Sequence, residues 1–65
     1  MNDNINYVEL RQDLINYFGT AVSSGNPMAI IELSTVETAS EQQLIQIALK
    51  NGFDLTEYIE SVKKR

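Results

Sequence analysis

The chain has 65 residues, nine acidic against five basic for a formal net charge of −4, 43% hydrophobic content, and neither cysteine nor histidine. The missing residue types exclude disulfide staples, thiol nucleophiles, His-based triads and the usual zinc ligands, and the acid excess disfavours a sequence-independent grip on nucleic acid, whose affinity comes largely from Lys and Arg on phosphates. One domain is all this length allows, and a chain so short buries only about 60% of the surface its unfolded form exposes, so its small core needs strong local signals or self-association.

The opening MNDNINYVEL has neither the basic nor the apolar region of a secretory signal, and no apolar run approaches the roughly 20 residues of a membrane span. A soluble, cytoplasmic protein with a single domain over residues 1–65 is expected, with residues 1–5 frayed. Asn6 opens the first predicted helix, 6–24, with Glu9 in capping-box position and Ile5 and Leu10 placed as a hydrophobic staple. At about 100° per residue, Tyr7, Leu10, Leu14, Tyr17, Phe18 and Ala21 fall in one arc, which Ile15, Val22 and Val8 widen to half the circumference. An arc that wide packs against two helices, or against one helix and a second subunit.

Ser23-Ser24-Gly25-Asn26-Pro27 is the clearest break, with Gly25 suited to close one helix and Asn26-Pro27 to cap and start the next. The second predicted helix, 27–37, is apolar all round through Met28, Ala29, Ile30, Ile31, Leu33 and Val36, and its Ile, Thr and Val content suits a strand as well. Helix is preferred over 28–36 because a single strand has no partner in this chain. Such a segment is expected to be the most buried element or part of a subunit interface.

From Ala39 to Ser61 the local signals fall in register. Ser40 with Gln43 makes a capping box, Ala39 and Leu44 a staple, and Asn51-Gly52-Phe53 a left-handed closure that ends a third helix, 41–51. Leu44, Ile45, Ala48 and Leu49 share its apolar face, with Ile47 apart. Asp54 with Glu57 repeats the capping pattern and Phe53 can staple to Tyr58, opening a fourth predicted helix, 55–64, with a stripe of Leu55, Tyr58, Ile59 and Val62. Glu60 is spaced to pair with Lys64, and Lys63, Lys64 and Arg65 complement a helix C-terminus. The fold class is therefore all-α, a small bundle of four short helices.

No constellation for catalysis is visible. Glu9 and Asp13 lie on the polar face of the first helix, Glu32 and Glu37 share no face, and no phosphate, dinucleotide or calcium loop is present. An enzyme, a cofactor and a metal are not expected. The segment ALKNGFDLTEYI resembles the end of the leader domains on some ribosomally made peptides, where a helix is followed by a Gly-aromatic step and an acidic turn; the resemblance covers this segment only, and no double-glycine site follows it. With two helices and a short Gly turn, Ser40–Lys64 also resembles a helix-turn-helix, although Glu57 and Glu60 stand early in the helix that would read DNA, where phosphate and base contacts belong.

The expectation is a small acidic protein-protein interaction module, a regulatory or structural accessory that self-associates as a homodimer or binds another protein. The alternative is a helix-turn-helix-like nucleic-acid-binding regulator. The surface expected to do the work is the spare width of the first helix, Val8, Ile15 and Val22, with Tyr17 or Phe18 as aromatic anchor. The same residues could equally complete the core.

Overall fold

The computed structural model describes residues 4–59. Three α-helices, Tyr7–Ser23 (α1), Ala29–Thr38 (α2) and Glu41–Lys50 (α3), are followed by one 3-10 turn, Leu55–Tyr58. The all-α reading is right, and among the described residues three α-helices and a 3-10 turn stand in place of the four helices expected. Asp54 Oδ1 accepts from both the backbone N–H and the hydroxyl of Thr56, at 3.0 and 2.6 Å, while the Glu57 N–H bonds back to the Asp54 carbonyl at 3.1 Å. This tight i to i+3 pattern replaces the expected Asp54–Glu57 capping box. Ile59 then turns extended and forms an antiparallel bridge with Ile5, and the Asn6 N–H donates to the Tyr58 carbonyl at 2.7 Å. Pairing with the distant Ile5–Asn6 segment therefore takes over where a fourth helix was expected. The rest of that helix, with Val62, the Glu60–Lys64 pair and the basic tail, lies outside the described residues, as does the start of the segment expected to fray; Ile5, at that segment's end, is tied by the bridge.

Helix α1 is capped as its sequence demands, with the Glu9 N–H donating to Asn6 Oδ1 at 3.1 Å. The second half of that capping box does not form because the Asn6 N–H is already held by Tyr58. At its end the Gly25 N–H bonds the Val22 carbonyl and the Asn26 N–H bonds the Ala21 carbonyl, both at 3.0 Å, with Gly25 at φ +98°. That is a Schellman closure. Helix α2 begins two residues later than expected, since Asn26 Oδ1 accepts from the Met28 N–H and the carbonyls of Asn26, Pro27 and Met28 each accept from the residue three ahead. Residues 29–38 are helical, which settles the helix-or-strand ambiguity of 28–36.

The expected signals at α3 are all made. Ser40 Oγ accepts from the Gln43 N–H at 3.3 Å and Gln43 Oε1 from the Ser40 N–H at 2.9 Å. At the other end Gly52, at φ +80°, donates to Leu49 at 3.1 Å and Phe53 to Ala48 at 2.9 Å, a second Schellman closure.

The core is Leu10, Leu14 and Phe18 of α1, set four residues apart on one line, against Ala29 and Val36 of α2, Ala39 at the C-cap of α2, Leu44 and Ala48 of α3, and Tyr58. Helix α1 touches each of the other elements. Helix α2 is not the most buried element: it lies against α1 along one face, burying Ala29 and Val36 and half-burying Leu33, and leaves Met28, Ile30 and Ile31 outside. In α3 the buried Leu44 and Ala48 set the inward direction, which brings Ile47 against the core and turns Leu49 outward, the reverse of the sequence expectation. Arg11 supplies the main polar tie between helices. Its Nη1 donates to the Val36 and Glu37 carbonyls at 3.1 Å each, satisfying two C-terminal carbonyls of α2, a helix with no basic residue of its own in the last turn.

Nothing lies within 4 Å of a Cβ built on Gly52, so substitution there tests the backbone alone. Gly52→Ala should cost about 1 kcal/mol through the left-handed conformation, and Gly52→Val more, because β-branching adds to the strain. Urea midpoints check this, and a midpoint unchanged by Gly52→Val would show that α3 does not end in this closure.

Candidate functional site

The five residues expected at an interface do not form one surface. Val8 is 81% exposed in the first turn of α1, whereas Ile15 and Val22 are half-buried against the core and Phe18, 5% exposed, belongs to it. Ile15 lines a shallow depression with Leu33, Gly19 and Thr20. Tyr17 and Phe18 instead border a cleft on the other flank of α1. A half-circumference arc whose central line is buried leaves two flanks, and Val8 and Tyr17, nine residues apart, stand about 180° from one another around the helix.

The cleft on the Tyr17 flank is the more developed site. It encloses about 300 Å³ between all three helices, and its apolar lining includes Phe18 and Ala21 of α1, Met28 just before α2, and Ala29 and Ile31 of α2. Tyr17 is held upright at its edge by edge-to-face contacts with Phe18 at 5.0 Å and Phe53 at 5.4 Å. Such contacts favour one orientation of the ring, each by about 0.5–1.5 kcal/mol. Phe53 was expected to staple to Tyr58 and packs on Tyr17 because the Schellman closure carries it back towards α1.

Two of the four polar lining residues are already engaged. Asn26 caps the entry to α2, and Asn51 Nδ2 donates to the Ile47 carbonyl at 2.8 Å. Glu32 of α2 and Lys50 of α3 remain, and both also line a shallower depression with Thr35, Gln43, Gln46 and Ile47, so the two charges stand together between the helices. An apolar floor with a fixed aromatic edge and one charge of each sign is chemistry for receiving a side chain. Among the described residues no group of three carboxylates gathers as a metal site, and no helix is long and apolar enough to cross a membrane. No protein-family model matches the chain, and no curated protein or solved structure is significantly similar to it.

Met28, Ile30, Ile31 and Leu49, between 55% and 66% exposed, are the surface residues that reasoning from α1 missed. The available signal was the all-round apolar character of α2, which no single neighbour can cover. The polar face of α1 held a second omission. Asp13, expected to be solvated, accepts a 2.5 Å hydrogen bond from the hydroxyl of the buried Tyr58, across 45 residues of sequence. This bond to a carboxylate, with burial and the Asp13 charge itself, pushes the Tyr58 hydroxyl up to about 12 from 10.0.

A raised folded-state value means that the neutral phenol is the stabilising form. Its contribution is complete below pH 10 and is lost as pH rises towards 12. Tyr58→Phe should lower stability at neutral pH by about 1–2 kcal/mol, and the difference from wild type should vanish across that alkaline window. Denaturant titrations at stepped pH provide the check; a difference that persists undiminished at pH 12 would assign the effect to packing.

Proposed function

We propose that the protein is a small helical protein-protein interaction module, an accessory of regulatory or structural kind, which docks through the outer face of α2 and the cleft beside it. The observation that carries this reading is the placement of Met28 and Ile31, 66% and 60% exposed, in the lining of a cleft whose edge is Tyr17, packed edge-to-face on Phe53. Single exposed apolar residues are ordinary, whereas several on one face around a concavity mark an interface. A chain with so few large apolar residues gives up core stability by leaving these outside.

Aromatic anchors and methionine suit the role. Tyr17 offers a large rigid surface at low entropy cost, and Met28 adapts its shape to what it meets. The occupant of the face is a second copy of the chain or another protein. The nucleic-acid alternative finds less support, because the described residues after α3 provide one 3-10 turn in place of a recognition helix.

Ile31→Asp separates surface from core. As an exposed substitution it should change the stability of the folded chain by no more than about 0.5 kcal/mol, while partner proteins captured from native extract by the wild-type chain should be lost. Val8→Asp, at the opposite flank of α1, should retain them. Equal capture by wild type and Ile31→Asp would remove this face from the binding function.

A further inference from the structure

Resting on the reading of the α2 face as a docking surface, we propose that its occupant is a second copy of the chain, seated by a two-fold axis so that Ile31 and Met28 of each copy enter the cleft of the other and Glu32 of each meets Lys50 of its mate. A closed two-fold interface requires a patch that complements itself, with residue i meeting j and j meeting i. This patch has both halves of each complement. Its exposed aliphatics, Met28 and Ile31, stand in the wall of the cleft that would receive their counterparts, and its charges are one acid and one base.

The charge distribution decides between occupants. The chain carries −4 overall, so a basic partner drawn by the general field would settle on its acidic surfaces. The cleft is the exception. Glu32 is the one carboxylate in its lining, Lys50 balances it, and no ion pair joins the two among the described residues. Of the two bases among residues 4–59, Arg11 is engaged by the α2 carbonyls, and Lys50 is the one placed here. A neutral patch of mixed sign on an acidic molecule is where a second acidic molecule of the same kind approaches with least repulsion. Glu32 and Lys50 then exchange partners across the axis.

Charge reversal tests this arrangement by sedimentation equilibrium, with circular dichroism confirming that each variant is folded. Wild type should dimerise at high micromolar concentration, less tightly as salt rises. E32K and K50E each place two like-charged pairs across the axis and should weaken the dimer about tenfold or more. An equimolar mixture of E32K with K50E places opposite charges in both pairs and should associate as a heterodimer with near wild-type affinity, a rescue that contacts within one chain cannot produce. A monomeric wild type, or a mixture no tighter than either variant alone, overturns the proposal. If Ile31→Asp abolishes the dimer while the reversals do nothing, the docking face stands and this pairing is wrong. If neither Ile31→Asp nor the reversals affect association, the face itself is not the interface.

Discussion

The line of Leu10, Leu14 and Phe18 along α1 is the constraint on which the rest of the fold depends. The three side chains recur at four-residue intervals on the longest helix, and α2, α3 and the 3-10 turn all pack on that helix. Burying one such line takes small residues from the neighbours: Ala29, Ala39 and Ala48 let the other elements close in, and Val36 and Leu44 fill what remains. The arrangement uses nearly all the large apolar side chains that point inwards. Among the described residues none covers the far side of α2, where Ile30 and Ile31 stay exposed.

A core this small has little surplus, and the backbone termini of three helices have to be satisfied within 56 described residues. The chain meets this demand almost entirely with local devices. Two Schellman closures and a capping box complete helix ends with neighbours in sequence, so they form without a loop-closure penalty. Two side chains add long-range ties where local ones fail. Arg11 reaches the carbonyls that end α2, whose last turn carries no base, and Tyr58 fastens the end of the described segment to Asp13 of α1. The bridge between Ile5 and Ile59 lies beside the latter tie and fixes the beginning of the described chain to its end.

The local devices were legible in the sequence and the long-range ones were not. Asn6, Ser40 with Gln43, Gly25 and Gly52 act over three to five residues, a range in which spacing alone specifies geometry, and each behaves as read except that Asn6 makes only the first half of its box with Glu9. Asp54 shows where that logic stops. Its capping pattern with Glu57 was present in the sequence, but Thr56 offers two donors closer at hand, and pairing with a segment some fifty residues away favours an extended Ile59. No spacing rule reports that competition. The interface residues failed for a related reason. Periodicity gave the width of the apolar arc on α1 correctly but not its direction, and so could not tell that Ile15 and Val22 would turn towards the core while Tyr17 stayed at the edge.

The segment that was hardest to read is also the one that carries the candidate site. An amphipathic helix such as α3 has one apolar face and one task; its glutamines Gln42, Gln43 and Gln46 are exposed, and only Leu49 among its large apolar residues is left outside. Helix α2 has almost no preferred direction, since Ala29, Leu33 and Val36 run along the side that meets α1 while Met28, Ile30 and Ile31 occupy the other. Both sets are aliphatic, so the wheel shows no boundary between them. A helix under selection for solubility alone would place polar residues on the second side, as α3 does. The ambiguity between helix and strand over 28–36 thus has the same physical origin as the proposed function: α2 is apolar in two directions, of which α1 answers one and the described residues leave the other exposed.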